Sequence, residues 1–200
     1  MSIDATGLGR RERNKQAKFA RITAAAAELF AAHGVDDVTT QQIADRADVG
    51  TGTLFLYAKT KGELLLLVQN AHYAEALEKG ITASAAVSDT LDALMALLAP
   101  IIECNRVQVD NGRTYLREMV FGDVTEAHHA EALGIVAATE VAAAALLTRD
   151  AELDEERATT LARIVSAIMF LTMSATPNVE RTVDELAADV RAQVAALLGR

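Results

Sequence analysis

The sequence predicts an all-α protein, and three observations support that prediction. Alanine occupies 40 of the 200 positions, and it is the best intrinsic helix former and is depleted in strands. Apolar residues recur at spacings of three and four, which is the period of an amphipathic helix. The chain contains only two prolines, and no segment has the pattern of a strand. We therefore expect about nine helices.

Composition and charge exclude several classes of protein. The chain is 51% hydrophobic and 24% charged, which is typical of a globular protein and not of a disordered one. It has one cysteine, no secretory signal in its first 21 residues, and apolar runs of only five to seven residues. We therefore expect a cytoplasmic chain with no disulfide and no membrane-spanning helix.

The charge is divided unevenly. Residues 1–62 hold nine Lys and Arg against seven Asp and Glu, a net +2, whereas residues 63–200 hold ten against 21, a net −11. Six of the basic side chains lie within residues 10–21, beside the single Glu12. Such a short basic arm is a candidate contact for nucleic-acid phosphates, and a solvated terminus is the alternative.

Three helices are predicted near the N-terminus. The first runs from about residue 15 to residue 32 and is closed by Gly34, because glycine readily adopts the left-handed conformation that ends helices. Thr39 or Thr40 caps a second helix that reaches Ala47, and a third covers residues 51–57. The first helix has one apolar stripe, formed by Phe19, Ile22, Ala26, Leu29 and Phe30.

A larger set of helices follows. Residues 60–63 form a T-x-x-E capping box, so the fourth helix begins at Lys61. The next helix carries Pro100, which we expect to kink or split it. Asn111-Gly112 is expected to interrupt the chain again, and Gly122 to end the short helix after it. The last three helices are predicted at residues 126–149, 154–174 and 182–198.

Residues 38–64 hold the most informative pattern. A turn at Asp48, which demands tolerance of unusual backbone angles, separates the second and third helices. Five small or apolar residues can bury between these helices: Ile43, Ala44, Ala47, Val49 and Leu54. This is the geometry of a helix-turn-helix, whose second helix enters the major groove of DNA.

The same segment resembles the TetR family of transcriptional regulators. The residues that carry the resemblance are Thr39-Thr40, Ile43-Ala44, Ala47-Asp48-Val49, Gly52-Thr53-Leu54-Phe55, Thr60-Lys61 and Glu63-Leu64. The pattern covers roughly the first third of the chain, and its spacing is specific. Asp48, Phe55 and Ala58 depart from it, standing where relatives carry glycine, tyrosine and a larger apolar residue.

The resemblance implies a helix-turn-helix DNA-binding domain in residues 1–60 and an effector-binding and dimerisation domain in residues 61–200. By position it assigns DNA contacts to Thr39, Thr40, Gln41, Thr51, Gly52, Thr53, Leu56, Tyr57 and Lys61. Thr39, Thr40 and Lys61 would bind phosphates, and Gln41 would lie near base edges. Helix capping is the alternative role for the threonines, and core packing the alternative for Leu56.

The resemblance also implies a homodimer that binds a palindromic operator in double-stranded DNA. The last two helices would form a four-helix bundle across the two-fold axis, and the packing of their apolar stripes on the chain's own bundle is the alternative. Ligand contacts are expected among large residues of the later helices: Met95, Leu98, Ile102, Tyr115, Met119, Phe170 and Met173. Arg113, Arg117 and His128 are polar candidates on the same helices, and a kink at Pro100 favours a cavity.

Other chemistry is less well supported. His128-His129 lies near acidic residues, but solvent-facing polar side chains are favoured over a metal site, and we expect no metal and no cofactor. Cys104 is interpreted as a small buried hydrophobe. No enzyme motif occurs, so an enzyme is disfavoured. The leading hypothesis is a repressor released by a small apolar ligand, and the alternative is a helical accessory protein that binds another protein through the helix-turn-helix.

Overall fold

The computed structural model describes residues 9–149 and 153–200. Within these ranges it contains nine α-helices and no strand, so the all-α fold class is confirmed. The helices are α1 Arg10–His33, α2 Thr40–Arg46, α3 Thr51–Leu54, α4 Lys61–Ala85, α5 Thr90–Arg106, α6 Val109–Phe121, α7 Ala127–Leu147, α8 Glu155–Ser174 and α9 Val183–Leu197. The first eight residues of the expected domain 1–60, and residues 150–152 of the expected domain 61–200, lie outside the described residues.

Helices α1 to α3 enclose a small apolar core at the N-terminal end. Its members are fully buried: Ile22, Ala26, Phe30, Val38, Ile43, Ala44, Leu54 and Ala58. α1 begins five residues earlier than the sequence predicts. α3 is a single turn that ends at Leu54 rather than at Tyr57. A helix this short depends on its tertiary contacts.

α4 begins at Lys61 as predicted, because the hydroxyl of Thr60 accepts a hydrogen bond from the backbone N–H of Glu63 at 3.0 Å. The reciprocal half of the capping box is missing. The Glu63 carboxylate instead accepts the backbone N–H of His128 at 2.9 Å. α4 packs against α1, α5, α6 and α7, and it therefore links the N-terminal helices to the rest of the molecule.

The break between α5 and α6 differs from the prediction. Pro100 lies inside α5 and does not split it, and Asn111 and Gly112 lie inside α6. The chain turns at residues 107–108, and the Gln108 side chain caps α6 by accepting the N–H of Asn111 at 2.7 Å. Gly112 serves close packing rather than a turn, because a Cβ there would overlap the carbonyl oxygen of Asn105.

Two close contacts position the helices around α4. Asn111 is buried, and its side chain accepts the N–H of Val35 at 2.7 Å and donates to the carbonyl of Phe30 at 2.9 Å, which ties α6 to the end of α1. At Gly80 the backbones of α4 and α5 touch, since an added Cβ would overlap the carbonyl oxygen of Leu97. The first contact needs a buried amide at position 111, and the second needs a residue without a Cβ at position 80.

α7 is long and apolar enough, by length and composition alone, to cross a membrane. Counting uninterrupted apolar runs misses this helix because Thr139 and Glu140 divide it. Core helices of soluble proteins meet the same criterion. Here α7 packs between α4 and α8 and leaves one side open, where Leu133 and Val141 are exposed.

α8 and α9 begin one residue after the predicted starts, because Asp154 and Thr182 are their N-caps. The apolar stripe of α9 is buried within its own chain, where the helix packs on α5 and α8. Its members, Leu186, Val190 and Val194, are 0% exposed. Burial of these three residues supports the alternative that this part of the stripe packs on the chain's own bundle, and the pairing of the last two helices across a two-fold axis stays a prediction. On α8, by contrast, Ile164 and Leu171 remain exposed.

Candidate functional site

The N-terminus of α2 is fixed by a capping box. The Thr39 hydroxyl accepts the N–H of Gln42 at 3.2 Å, and the Gln42 side chain accepts the N–H of Thr39 at 2.7 Å. Thr40 is the first residue of α2 and is half-buried. The capping role of Thr39 is thus present in the free protein. Its exposure leaves it accessible to a phosphate as well.

The turn between α2 and α3 is held by Asp48, which has a φ of 52°. Aspartate tolerates this left-handed conformation better than most residues. Arg21 of α1 donates to the Asp48 carboxylate at 3.0 Å, and Arg46 donates to Glu28 at 2.6 Å. Both ion pairs are exposed, so each contributes little to stability. They connect α1 to α2 and to the turn after it. Arg21, one of the six basic residues of the arm, is paired in this way.

Gln41 joins α2 to α3. Its amide N–H donates to the Asp45 carboxylate at 2.7 Å, and its amide oxygen accepts the Thr51 hydroxyl at 2.8 Å. A bidentate contact with adenine uses both ends of the amide. Gln41 would therefore have to exchange both bonds in order to read a base in that way.

The end of α3 presents side chains outward. Leu56 is 82% exposed, so the core-packing alternative for this residue is wrong. Thr53 is half-buried, and Gly52 is exposed. Tyr57 is half-buried against Phe19 with ring centroids 5.8 Å apart, and its hydroxyl donates to a carbonyl oxygen of α1.

The first turn of α4 lies beside the loop between α1 and α2. The Lys61 ammonium donates to the carbonyl oxygen of Asp36 at 3.1 Å, and Lys59 pairs with Glu126 at the start of α7. The five remaining basic residues of the arm, Arg10, Arg11, Arg13, Lys15 and Lys18, are exposed. The hydrogen bond from Tyr57 to the carbonyl of Lys15 joins this arm to the end of α3.

An apolar cavity of about 80 Å³ lies among α4 to α8. Five of the expected ligand contacts line it: Leu98, Tyr115, Met119, Phe170 and Met173. The structure sets the other two apart from it, since Ile102 is fully buried in the core and Met95 packs against that core. Tyr73, Val165 and Met169 also line the cavity and are not among the ligand contacts predicted from the sequence.

Two buried tyrosines form one wall of this cavity. The rings of Tyr73 and Tyr115 stack with centroids 4.1 Å apart and planes 9° from parallel. The Tyr115 hydroxyl donates to the Asn70 side chain at 3.0 Å, and the Asn105 side chain donates to the Tyr73 hydroxyl at 2.8 Å. Burial raises the pKa of both phenols. The wall is therefore neutral at physiological pH.

A chain of hydrogen bonds runs from that wall to the first turn of α4. The Asn70 amide donates to the carbonyl oxygen of His128 at 2.9 Å and to Glu131 at 2.8 Å. The N–H of His128 in turn donates to Glu63. Burial is the largest cause of the raised pKa of Glu63. The start of α7 thus connects the cavity to the end of α4 nearest the helix-turn-helix.

α6 touches the same turn of α4. The Glu118 carboxylate lies against Gly62, where an added Cβ would overlap it. Met119, which lines the cavity, is the next residue along α6. A shift of α6 at the cavity would therefore be felt directly at the first turn of α4.

The remaining candidates lie elsewhere. Pro100 and Cys104 line a separate groove of about 480 Å³ between α1, α4 and α5, where burial raises the pKa of the half-buried Cys104 to about 11. Among the described residues no group of three or more metal-binding side chains occurs. His129 is 1% exposed, so the expectation that it faces solvent is wrong, because the start of α7 docks on α4.

The comparisons with known proteins agree with this architecture. Residues 22–68 match the family model described as bacterial regulatory proteins, tetR family. No curated protein matches the chain.

Solved structures resemble the chain over most of its length. FadR of Thermus thermophilus, a TetR-family transcriptional repressor in complex with lauroyl-CoA, has a TM-score of 0.69 and 23% identity over 88% of this chain and 92% of its own. A TetR transcriptional regulator from Rhodococcus sp. RHA1 has a TM-score of 0.66 and 19% identity over 92% and 97%. FadR of Bacillus halodurans, a fatty acid degradation regulator, has a TM-score of 0.60 and 14% identity over 88% and 97%. At these identities the likenesses establish the fold alone.

Proposed function

We propose, starting from the membership of this chain in the tetR family of bacterial regulatory proteins, that it is a cytoplasmic repressor released from a palindromic operator by a small apolar ligand. The observation that carries the proposal is the α2–α3 helix-turn-helix, with Asp48 in the left-handed conformation at its turn. In this proposal the DNA-binding part is residues 1–60 and the effector-binding and dimerisation part is residues 61–200. The chain would have no catalytic activity.

DNA would be held by phosphate contacts and read by α3. Thr39 and Thr40 at the start of α2, together with Lys61, would bind phosphates and set the register of the protein on the duplex. Thr51, Gly52, Thr53, Leu56 and Tyr57 would line the groove-facing side of α3, with Gln41 beside them. The exposure of Leu56 supports this role, because an apolar side chain facing solvent is available for a thymine methyl.

A homodimer would present two copies of α3 to the operator. The exposed apolar residues of α7 and α8, among them Val141, Ile164 and Leu171, support an interface on these two helices. Leu186, Val190 and Val194 of α9 are already buried within the chain and are not available. Symmetric pairing of α7 and α8 with their copies would give a self-complementary contact, which a two-fold axis requires.

The ligand would enter the apolar cavity and act through α4. The complex of Thermus thermophilus FadR with lauroyl-CoA supports an apolar ligand in this architecture. Filling the cavity would move Tyr115 and Met119, and the contacts of α6 and α7 with Gly62 and Glu63 would transmit that movement to Lys61. Coupling of about 1–3 kcal/mol would lower the affinity for DNA by roughly 5- to 150-fold.

A gel-shift titration on the DNA that flanks the protein's own gene tests the proposal. We expect the wild type to bind one fragment specifically and Leu56→Ala to weaken that binding. Val107→Ala is the matched control, since Val107 is 87% exposed but lies between α5 and α6. Equal binding of specific and random fragments, or equal weakening by the two variants, would contradict the proposal.

A further inference from the structure

A polar pocket of about 270 Å³ adjoins the apolar cavity. Phe170 lines both spaces. It meets Phe121 edge to face, with ring centroids 6.3 Å apart and planes 68° from parallel. Phe121 is 74% exposed, so it can rotate away from Phe170 at little cost in buried area. Phe170 therefore forms the partition between the apolar cavity and the polar pocket, and Phe121 lies against it on the side of the polar pocket.

Two arginines of α6 line the polar pocket. The Arg113 guanidinium donates to the carbonyl oxygen of Ser174 at 3.1 Å and to the hydroxyl of Thr176 at 3.1 Å, which fixes its position. Arg117 donates a long hydrogen bond of 3.4 Å to the hydroxyl of Thr114. In the described part of the chain, neither arginine forms an ion pair. Both can therefore offer N–H donors to an anion, and arginine suits carboxylates and phosphates.

The volumes of the apolar cavity and the polar pocket also indicate that one ligand occupies both. The apolar cavity of about 80 Å³ is far smaller than the roughly 300–1,000 Å³ of typical ligand sites. The polar pocket adds about 270 Å³ on the other side of Phe170. A molecule that extends through the partition would place an apolar chain beside Met119 and a polar end beside Arg117.

Resting on the proposed function, we propose that the effector is an amphipathic anion. Its aliphatic chain occupies the apolar cavity, and its anionic end is held by Arg113 and Arg117 in the polar pocket. The two exposed acidic residues of that pocket, Asp36 and Asp110, confine the anion to the arginine side.

The position of the anionic end also gives the direction of regulation. Asp36 belongs to the loop between α1 and α2, and its carbonyl oxygen accepts the hydrogen bond from Lys61. An anion held by Arg117 repels the Asp36 carboxylate and displaces this loop relative to α4. The anionic end thus weakens the binding of DNA in addition to the effect of filling the cavity.

Calorimetric titration with decanoate and decan-1-ol tests the inference, because the two probes share a chain and differ in charge. We expect the wild type to bind decanoate about tenfold or more tightly than decan-1-ol. Arg117→Gln should reduce the preference for decanoate and leave the affinity for decan-1-ol unchanged, and Arg117→Lys should retain more of the preference. The double variant Arg113→Gln with Arg117→Gln should bring decanoate to the affinity of decan-1-ol. Arg157→Gln, an exposed arginine of α8 outside the pocket, is the control and should change neither value.

Equal binding of the two probes by the wild type, binding of neither, or equal loss of both in Arg117→Gln would each overturn the inference. Parallel gel shifts separate it from the proposed function. If the protein binds no DNA, the proposed function fails, while the calorimetry still decides the ligand class. If decan-1-ol releases DNA as effectively as decanoate, the proposed function stands and the anionic site is wrong.

Discussion

The helix-turn-helix and the helical bundle differ in the range of the contacts that fix their polar side chains. In the helix-turn-helix, Thr39 bonds to Gln42, and Gln41 bonds to Asp45 and Thr51, partners three, four and ten residues away. The longer contacts of this region, Arg21 to Asp48 and Tyr57 to Lys15, join it to α1. In the bundle, Asn70 bonds to Tyr115 and Glu131, which are 45 and 61 residues away. The start of α2 and its contact with α3 are therefore set by bonds within the motif, whereas the proposed switch depends on how distant helices dock.

The largest effect is expected where the two regions meet. Phe30 is 1% exposed, and its carbonyl oxygen accepts a hydrogen bond from the Asn111 side chain of α6. Phe30→Ala should therefore lower the free energy of unfolding by about 3–5 kcal/mol. Leu56→Ala, at an exposed position, should change it by less than about 0.5 kcal/mol. Urea unfolding followed by circular dichroism measures both. We expect one transition for the whole chain, and two separate transitions would show that the regions are not coupled.

The next effect concerns the outer face of the bundle. Val141 is 70% exposed in the single chain, and Val141→Asp would place a carboxylate in the proposed α7–α8 interface, where an unpaired charge is costly. We expect a monomer at micromolar concentration, measured by sedimentation equilibrium, where the wild type is a dimer. Val107→Asp, at a valine that is 87% exposed and lies outside this face, should remain dimeric. A monomeric wild type would refute the proposed interface.

Two variants distinguish base recognition from phosphate binding within the DNA-binding region. Gln41→Ala should cost about 1–3 kcal/mol at one base position and leave other positions unchanged. Lys61→Ala should weaken binding to all DNA alike and lower the salt slope by about one unit. Binding titrations on single-base operator variants at several salt concentrations measure both effects. A change of preferred base in Lys61→Ala, with its salt slope intact, would reverse the assignment.

The smallest effect is a pH dependence at Glu63. Burial raises the pKa of this carboxyl in the folded chain, so its contribution to stability is present at acidic pH and is lost as the pH rises through the folded pKa. Glu63→Gln keeps an acceptor for the N–H of His128 and has no charge to bury. We expect the stability of the variant, relative to the wild type, to increase between pH 4 and pH 7 in urea unfolding. The opposite trend would show that the ionised form is favoured by its partners.

The sequence predicted the elements that depend on neighbouring residues. Thr39, Thr60 and Thr182 mark helix starts because a cap acts over three residues. The prediction of an interruption at Asn111-Gly112 was wrong because the same residue types serve turns and close helix contacts. Here the buried partners Val35 and Asn105 decide between those roles.

The lining of the cavity was predictable only in part. Large side chains on α5, α6 and α8 were the right class, but which of them face the cavity depends on how each helix is rotated against its neighbours. Ile102 and Leu98 are both fully buried on α5, and only Leu98 reaches the cavity. No spacing rule within one helix distinguishes them.

The backbone contact with α5 at Gly80 holds α4 at one point, so that the helix can tilt about that point. Lys61 lies nineteen residues from that point, which is roughly 28 Å at about 1.5 Å per residue. A tilt of about 5° around Gly80 would swing the Lys61 end by roughly 2.5 Å, close to the length of a hydrogen bond. A small rotation of α4 about Gly80 therefore displaces Lys61 far enough to break its hydrogen bond to Asp36. A bulkier residue at position 80 would move α4 away from α5 and would displace the first turn of α4, with Lys61, even when the cavity is empty.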